Sequence, residues 1–431
     1  MFQGNLGLLR RTAQRRVGSA AMSSVVTRTL PADHITPVRA YAALRAHAPG
    51  RSSFMFESAV SGERWGRYAI LGYRARAESL LPSGFDPFEA LAEGLAEPGP
   101  PGSPRDLAAR VCRSWVGFLS YDTLHQLMGI EPWPEEMYLG RVLKDATVVV
   151  FDSVAQTMTI AGRSQGAVNR CAWEMTHGPE QPGLPALDPE ALPEHLETPV
   201  TDDGYAAKVA AARERIAAGE ATEVVLARRF RSPLRGADPF DVYRALRLLA
   251  PSTHLYFLDF AESPFAPGLT IAGTSGETLV RAEGDPSAEP RAGGASFVEA
   301  MRAALAGGSA VGQPAARASA ISRNLEAGPR WVYGGAVGYF GAEGSEIAHT
   351  LGAVWSAFGY FEVMTGARIG NGSEPRAEAE RTRRDARGPL SAIRAAHEAR
   401  KAHDLAQEKK AAAERAAAEK AAAGDDASRS E

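Results

Sequence analysis

The eight residues Tyr333-Gly334-Gly335-Ala336-Val337-Gly338-Tyr339-Phe340 constrain the fold of this chain more than any other stretch. Glycine among bulky neighbours lets one backbone come close to another, or to a ligand. The run reads as a strand region, packed tightly inside a β-sandwich or lying along a binding surface, and both readings stand. Other β-rich runs accompany it: Ser53–Ser58, Tyr68–Tyr73, Val116–Ser120, Ala146–Phe151, Gln156–Ala161, Val224–Phe230, Leu255–Asp259, Thr270–Thr274, Glu277–Ala282, Leu351–Met364 and Ala367–Ile369. Helices are predicted at Pro37–His47, Asp203–Ala218, Pro239–Leu249, Phe297–Leu305, Ala315–Glu326 and Pro375–Ala399. The second of these has Thr201 as its N-cap candidate, an apolar stripe of Tyr205, Val209 and Ile216, and Gly219 at its end.

Punctuation divides the 431 residues. Residues 1–34 carry Arg10, Arg11, Arg15, Arg16 and Arg28 with no acid before Asp33. Such a leader suits a transit peptide, but it lacks an amphipathic repeat, so a disordered arm or an upstream start before Met22 is expected. A first domain is expected over 35–180, with Pro/Gly-rich loops at 94–104 and a turn at Ser61-Gly62. A Pro- and Glu-rich linker follows over 181–199, then a second domain over 200–399 with a polar Gly/Pro segment at 284–294. Residues 400–431 are Ala/Lys/Glu low complexity, expected as a solvated helix without the apolar seam of a coiled coil.

Composition excludes several classes. Lys and Arg number 48 against 51 Asp and Glu, so no positive field favours nucleic acid. Cys112 and Cys171, the two cysteines, make neither a disulfide framework nor a Cys-rich zinc site and are expected as reduced thiols. No apolar run spans a bilayer. A cytoplasmic protein with no nucleic-acid or membrane partner is expected.

Phe56-Glu57-Ser58 followed by Gly62-Glu63-Arg64-Trp65-Gly66-Arg67-Tyr68 resembles the N-terminal domain of anthranilate synthase component I, a chorismate-binding enzyme. Further matches fall in the family's order: Trp115–Phe118 with Tyr121-Asp122, Thr147–Asp152, Val224–Phe230, Pro239–Leu246, Ser275-Gly276-Glu277 with Leu279-Val280-Arg281, and Tyr333–Phe340. The resemblance covers roughly residues 35–395 and implies an α+β fold, with β-sheets packed face to face and covered by helices. It also implies magnesium-dependent binding of chorismate, addition of ammonia and loss of pyruvate to leave anthranilate. A glutamine amidotransferase subunit is the implied ammonia source. Two substrate carboxylates need cationic or N–H partners, and magnesium needs clustered oxygen ligands.

By this resemblance Glu277 is the catalytic glutamate. Ser309 takes the hydroxyl position of a Gly-Thr-Val-Ser-Gly-Ala-Pro-Lys motif, written here Gly308–Ala315. Tyr333, Gly334 and Gly335 match substrate contacts, Glu378 a metal ligand, and Glu57 with Ser58 a tryptophan-sensing segment. Read from pattern alone, Glu277 is a strand-edge carboxylate and Glu378 a residue on a solvated helix face.

Departures fall on the chemistry. A block of several dozen family residues, with metal-side glutamates and the catalytic His, is missing between Ala295 and Phe297. The family's Pro-Ile-Ala-Gly-Thr-Arg becomes Pro290–Ala295, and its Ile-Arg-Thr falls at Thr350–Ala353 without the Arg. Gly-Ala-Gly-Ile becomes Gly366-Ala367-Arg368-Ile369, and the second metal Glu is Arg381. The tryptophan-site companion Asn-Pro-Ser-Pro-Tyr-Met reads Ala250–Leu255. Of nine histidines, His254 and His349 lie in matching segments but read as core or surface residues. Impaired turnover is therefore expected. The alternatives are an inactive relative that binds a ligand or an amidotransferase, and an aminodeoxychorismate synthase-like protein.

Overall fold

Strands from both halves of the chain share two wholly antiparallel sheets, in a computed structural model describing residues 24–58, 66–95, 106–136, 138–179, 181–283, 294–341 and 343–428. The first half supplies β1 (Val26–Pro31), β2 (Ser53–Glu57), β3 (Tyr68–Tyr73), β4 (Ala77–Pro82), β5 (Trp115–Leu119), β6 (Tyr138–Lys144), β7 (Thr147–Asp152) and β8 (Thr157–Gly162). The second supplies β9 (Val224–Pro233), β10 (His254–Phe260), β11 (Leu269–Ser275), β12 (Thr278–Glu283), β13 (Ala336–Phe340), β14 (Gly344–His349), β15 (Gly352–Ala357) and β16 (Tyr360–Ile369). Ten strands run in the order β1-β8-β7-β3-β2-β10-β11-β15-β16-β9, and six in the order β12-β14-β13-β5-β6-β4. Pairing of β2 with β10 and of β5 with β13 carries each sheet across the irregular 181–199 segment.

Side chains alternate across a strand, so each sheet has two faces to cover. One face of each meets the other sheet: Phe54, Ile70, Val150, Tyr256 and Leu258 pack with Val116, Phe118, Val337 and Tyr339. The far face of the ten-stranded sheet is covered by α1 (Pro37–Ala46), α5 (Gln165–Thr176), α7 (Pro239–Leu249) and α10 (Pro375–Ser428). Against the far face of the smaller sheet lie α2 (Pro87–Leu95), α4 (Thr123–Leu127) and α8 (Gly294–Ala306). A short α3 (Leu107–Arg113) joins the layer between the sheets. Helices α6 (Asp202–Ala217) and α9 (Ala315–Leu325) close over β9 and β16. The protein is therefore α+β, with packed sheets and outer helices.

Local chemistry places the helices. Thr36, Ser164 and Thr201 accept a backbone N–H at the starts of α1, α5 and α6, and Asp238 does so ahead of Pro239 in α7. Buried Arg228 ties β9 to the helical layer, giving Nε to Thr382, Nη1 to Asp202 at 2.6 Å and Nη2 to the Ala379 carbonyl.

Several expectations change. Part of the expected leader, Val26–Pro31, pairs with Thr157–Gly162 as an edge strand, which satisfies its backbone. Residues 1–23, the Ser61-Gly62 turn, most of the 94–104 loop and residues 284–293 lie outside the described residues. Strands β4, β6 and β14 and helices α2 to α5 had no expectation. Helix α10 runs unbroken from the predicted 375–399 helix into the tail, through Pro389. No described helix is long and apolar enough to cross a membrane.

The glycine run serves close packing of the chain on itself. A Cβ on Gly335 would stand 2.1 Å from the Leu119 carbonyl oxygen, and one on Gly334 2.7 Å from Ala310 Cβ. Gly334 also has φ +81°, which other residues rarely adopt. Gly335→Ala is expected to lower stability by about 1–3 kcal/mol, as overpacking does. Gly276→Ala, with nothing within 4 Å of its Cβ, is expected to change it by less than about 0.5 kcal/mol in the same urea titration.

Candidate functional site

The chain passes from the larger sheet to the smaller through Ser275-Gly276-Glu277, between β11 and β12. Ser275 Oγ accepts the Glu277 N–H at 3.1 Å, fixing the turn. The His349 N–H donates to the Glu277 carbonyl at 3.0 Å, so the end of β14 lies beside it. Ser309 follows α8, where Gly308 leaves room: a Cβ there would be 3.1 Å from the His349 ring.

Three side chains converge at this crossing. Ser309 Oγ donates to Glu277 Oε2 at 2.6 Å, and His349 Nδ1 lies 3.3 Å from both Ser309 Oγ and Glu277 Oε2. His349 Nε2 lies 3.0 Å from the Gly334 carbonyl, which can only accept, so this nitrogen carries a proton. His349 is fully buried, whereas 35% of the Glu277 side chain is exposed. The hydrogen bond from His349, aided by Ser309 and opposed by burial, pulls the Glu277 carboxyl down to about 2. Glu277 is thus an acceptor at neutral pH, taking the Ser309 proton and facing His349 Nδ1. The cluster thus gathers an imidazole, a hydroxyl and a solvent-reaching carboxylate within hydrogen-bond reach, the group types that general acid–base chemistry uses.

The Ser309 loop is held from below by Arg330. Its guanidinium, buried over the Tyr121 ring at 4.1 Å, donates to the Ala310 carbonyl at 2.9 Å, the Val225 carbonyl at 2.7 Å and the Glu326 carboxylate at 2.6 Å. Glu326 Oε1 in turn accepts the Ala227 N–H at 2.8 Å. Asp122 accepts the Trp331 N–H at 2.9 Å and holds the turn that leads to Gly334. On the other side Arg368 donates to the Ser309 carbonyl at 3.2 Å and pairs with Glu223.

The other expected site residues are placed as follows. Tyr333 is 7% exposed, with its phenol pushed up to about 12, chiefly by burial. Its hydroxyl lies against Gly366, where a Cβ would be 2.9 Å away. Gly334 contributes its carbonyl to His349, and Gly335 meets the chain's own backbone. Glu378 shares no hydrogen bond or ion pair with the Glu277 cluster among the described residues. Its Oε2 is buried without a hydrogen bond, 4.0 Å from Arg381 Nη1. Glu57 accepts from Tyr243 Oη at 2.7 Å and pairs with Arg247. With Ser58 it lines a cleft of about 90 Å³ between the sheets, shared with His254, Arg281 and Glu346.

His349 and Arg330 escaped the reading of the sequence. His349 stands 72 positions from Glu277, on a strand that alternation did not mark. Arg330 sits four residues after Glu326, a spacing that reads as a surface pair until the loop between them is seen to turn inward.

Comparison with known proteins matches the family described as chorismate binding enzyme to residues 83–290 and 287–391. The two pieces meet at 287–290, just before the position expected for the missing block. Anthranilate synthase component 1 of Streptomyces coelicolor is 27% identical over 472 residues, covering 85% of this chain and 88% of its own length. That alignment is longer than this chain, so the relative carries residues with no counterpart here. The Mycobacterium bovis component 1 is 31% identical over 62% of this chain and 58% of its own length. Among solved structures, anthranilate synthase component I from Streptococcus pneumoniae aligns with a TM-score of 0.62 at 20% identity, over 77% of this chain and 95% of its own. The isochorismate synthase MenF of Escherichia coli aligns at 0.58 and 15% identity, over 90% and 99%. At these identities the two structures share the fold.

His349→Gln is expected to raise the Glu277 carboxyl from about 2 toward the ordinary carboxylate range, read by NMR titration of the side-chain carboxyl. A depressed folded value contributes stability above the unfolded pKa of about 4.5 that is lost as pH falls toward 2. The same variant is expected to shrink that acid-side loss.

Proposed function

The chain belongs to the chorismate binding enzyme family, and on that premise we propose that it is an anthranilate synthase component I-like protein that binds chorismate at Glu277, Ser309 and His349 with impaired turnover to anthranilate. The observation that carries this reading is the convergence of Glu277 and Ser309, both matched to the family's site, on the proton-bearing His349 beside Gly334. Ser309 Oγ, now given to Glu277, can turn to a ligand oxygen, Glu277 reaches solvent as an acceptor, and buried His349 positions both.

Impairment is supported by what surrounds them. Magnesium wants several oxygen ligands in near-octahedral order. Glu378 offers one carboxylate beside Arg381, and no group of three or more His, Cys, Asp or Glu able to hold a metal occurs among the described residues. This donor set does not fit the ion, and no step is derived through it. Arg368 brings positive charge to Ser309, but its guanidinium is committed to Glu223 and the Ser309 carbonyl.

The cleft at Glu57 and Ser58 supports a second part of the proposal, an effector site for a small amphipathic molecule such as tryptophan, since Glu57 is held ready by Tyr243 and Arg247. Retention of this tryptophan-type segment favours the anthranilate branch over an aminodeoxychorismate synthase.

Anthranilate fluorescence from purified protein given chorismate, magnesium and high ammonium tests the reading, because ammonium replaces the amidotransferase subunit that supplies ammonia in the family. The expected outcome is little or no anthranilate, together with saturable chorismate binding by calorimetry that weakens about tenfold in Ser309→Ala. Full turnover abolished by a chelator would overturn the impairment, and absence of chorismate binding to folded protein would overturn the site.

A further inference from the structure

A second cavity, independent of the chorismate reading, lies on the helical side of the larger sheet. It occupies about 170 Å³ between the end of β9, the 194–195 segment and one face of α10. Four permanent cations line it, Arg235, Arg394, Arg400 and Lys401, against two carboxylates, Glu194 and Asp404. The carboxylates are already taken. Glu194 Oε1 pairs with Arg394 at 3.0 Å and with Lys401 at 2.9 Å, and those hydrogen bonds pull its carboxyl down to about 2. Asp404 pairs with Arg400 at 2.8 Å. Arg235 stands on an exposed left-handed turn (φ +49°), with no carboxylate partner among the described residues. Glu398, just outside the lining, also pairs with Arg394 at 2.8 Å and Lys401 at 3.3 Å, so the cluster keeps one positive charge in excess, that of Arg235.

The wall of the cavity supplies an independent sign of a ligand. Ser232, on β9, is fully buried and lines the cavity, yet its Oγ has no hydrogen-bond partner. A buried hydroxyl is rarely left unpaired, because the lost hydration is not recovered. Here it sits as a donor among guanidinium groups, whose planar forks suit tetrahedral oxyanions. The volume is below that of drug-sized ligand sites, and the excess charge on Arg235 suits a small oxyanion.

We propose that this cavity is a phosphate-binding site, in which Ser232 Oγ and Arg235 hold a phosphate group that is free or carried on a small ester. Bound there, the phosphate joins α10 to the 194–195 segment, which the existing ion pairs already bring together.

Calorimetric titration of the full chain with inorganic phosphate, at ionic strength matched with chloride, tests this. Saturable binding is expected, lowered about tenfold in Ser232→Ala and in Arg235→Gln. Ser232→Ala removes a buried unpaired hydroxyl, so its thermal midpoint without phosphate is expected to match or exceed that of the parent. Arg235→Gln, on an exposed turn, carries the test if Ser232→Ala does not fold. Parallel titration with glycerol 3-phosphate separates the sources: tighter binding assigns an ester, equal or weaker binding free phosphate. The proposal is overturned if folded parent protein shows no saturable phosphate binding. It is likewise overturned if both variants bind phosphate as the parent does, which would leave Ser232 Oγ to an internal water.

Discussion

The buried pair of Arg330 and Glu326 is the interaction on which the site depends. Its two side chains are 1% and 6% exposed, and removing one partner of such a pair typically costs about 3–5 kcal/mol. The pair is tolerable because nearly every donor and acceptor is used. Arg330 reaches Ala310 beside Ser309 and Val225 in β9, while Glu326 takes the N–H of Ala227 in the same strand. One ion pair thus fixes the end of α9, an edge strand of the larger sheet and the loop that carries Ser309. The next residue, Trp331, is fixed by Asp122 from the first half of the chain. The position of Ser309 is therefore set by contacts separated by some two hundred residues in sequence.

This arrangement also explains how the fold closes without the block that the family carries. Among the described residues the six-stranded sheet ends at β12, and nothing further pairs beyond it. An open strand edge is a hazard unless it is short, charged or covered. Here β12 has six residues, Arg281 on it pairs with Glu346 of β14, and Val298, Met301 and Leu305 of α8 pack with Leu279 and Val280. A helix folded back onto the last strand covers it, so the two-sheet core is preserved.

Much of this was legible in the sequence, and the limits were physical. Long elements with caps and clear periodicity, such as Pro239–Leu249, were placed to the residue. Strands of the larger sheet were visible because their β-branched runs are dense. The two domains expected on either side of 181–199 share sheets, a long-range pairing that no local pattern records. Ser309 and Glu277 could be marked only through resemblance, since each alone reads as an ordinary loop or strand-edge residue. His349 was invisible as a partner because its role comes from the register of β14 against β13, which aligns it with Ala336 and turns it toward the Ser309 loop.

Binding and turnover make different demands on the same geometry. Binding a carboxylate ligand, as proposed, needs a donor held at a fixed place, and Ser309 is such a donor, positioned by His349 on rigid strands. Turnover also needs charge stabilised as it develops on the leaving oxygen. Glu277 is already ionised, Arg368 is already paired, and Glu378 faces an arginine. Glu277 and Arg368 have settled their charge with neighbours inside the protein. On the proposed reading, a site in this condition recognises a ligand by hydrogen bonding yet has little uncommitted charge to give a transition state.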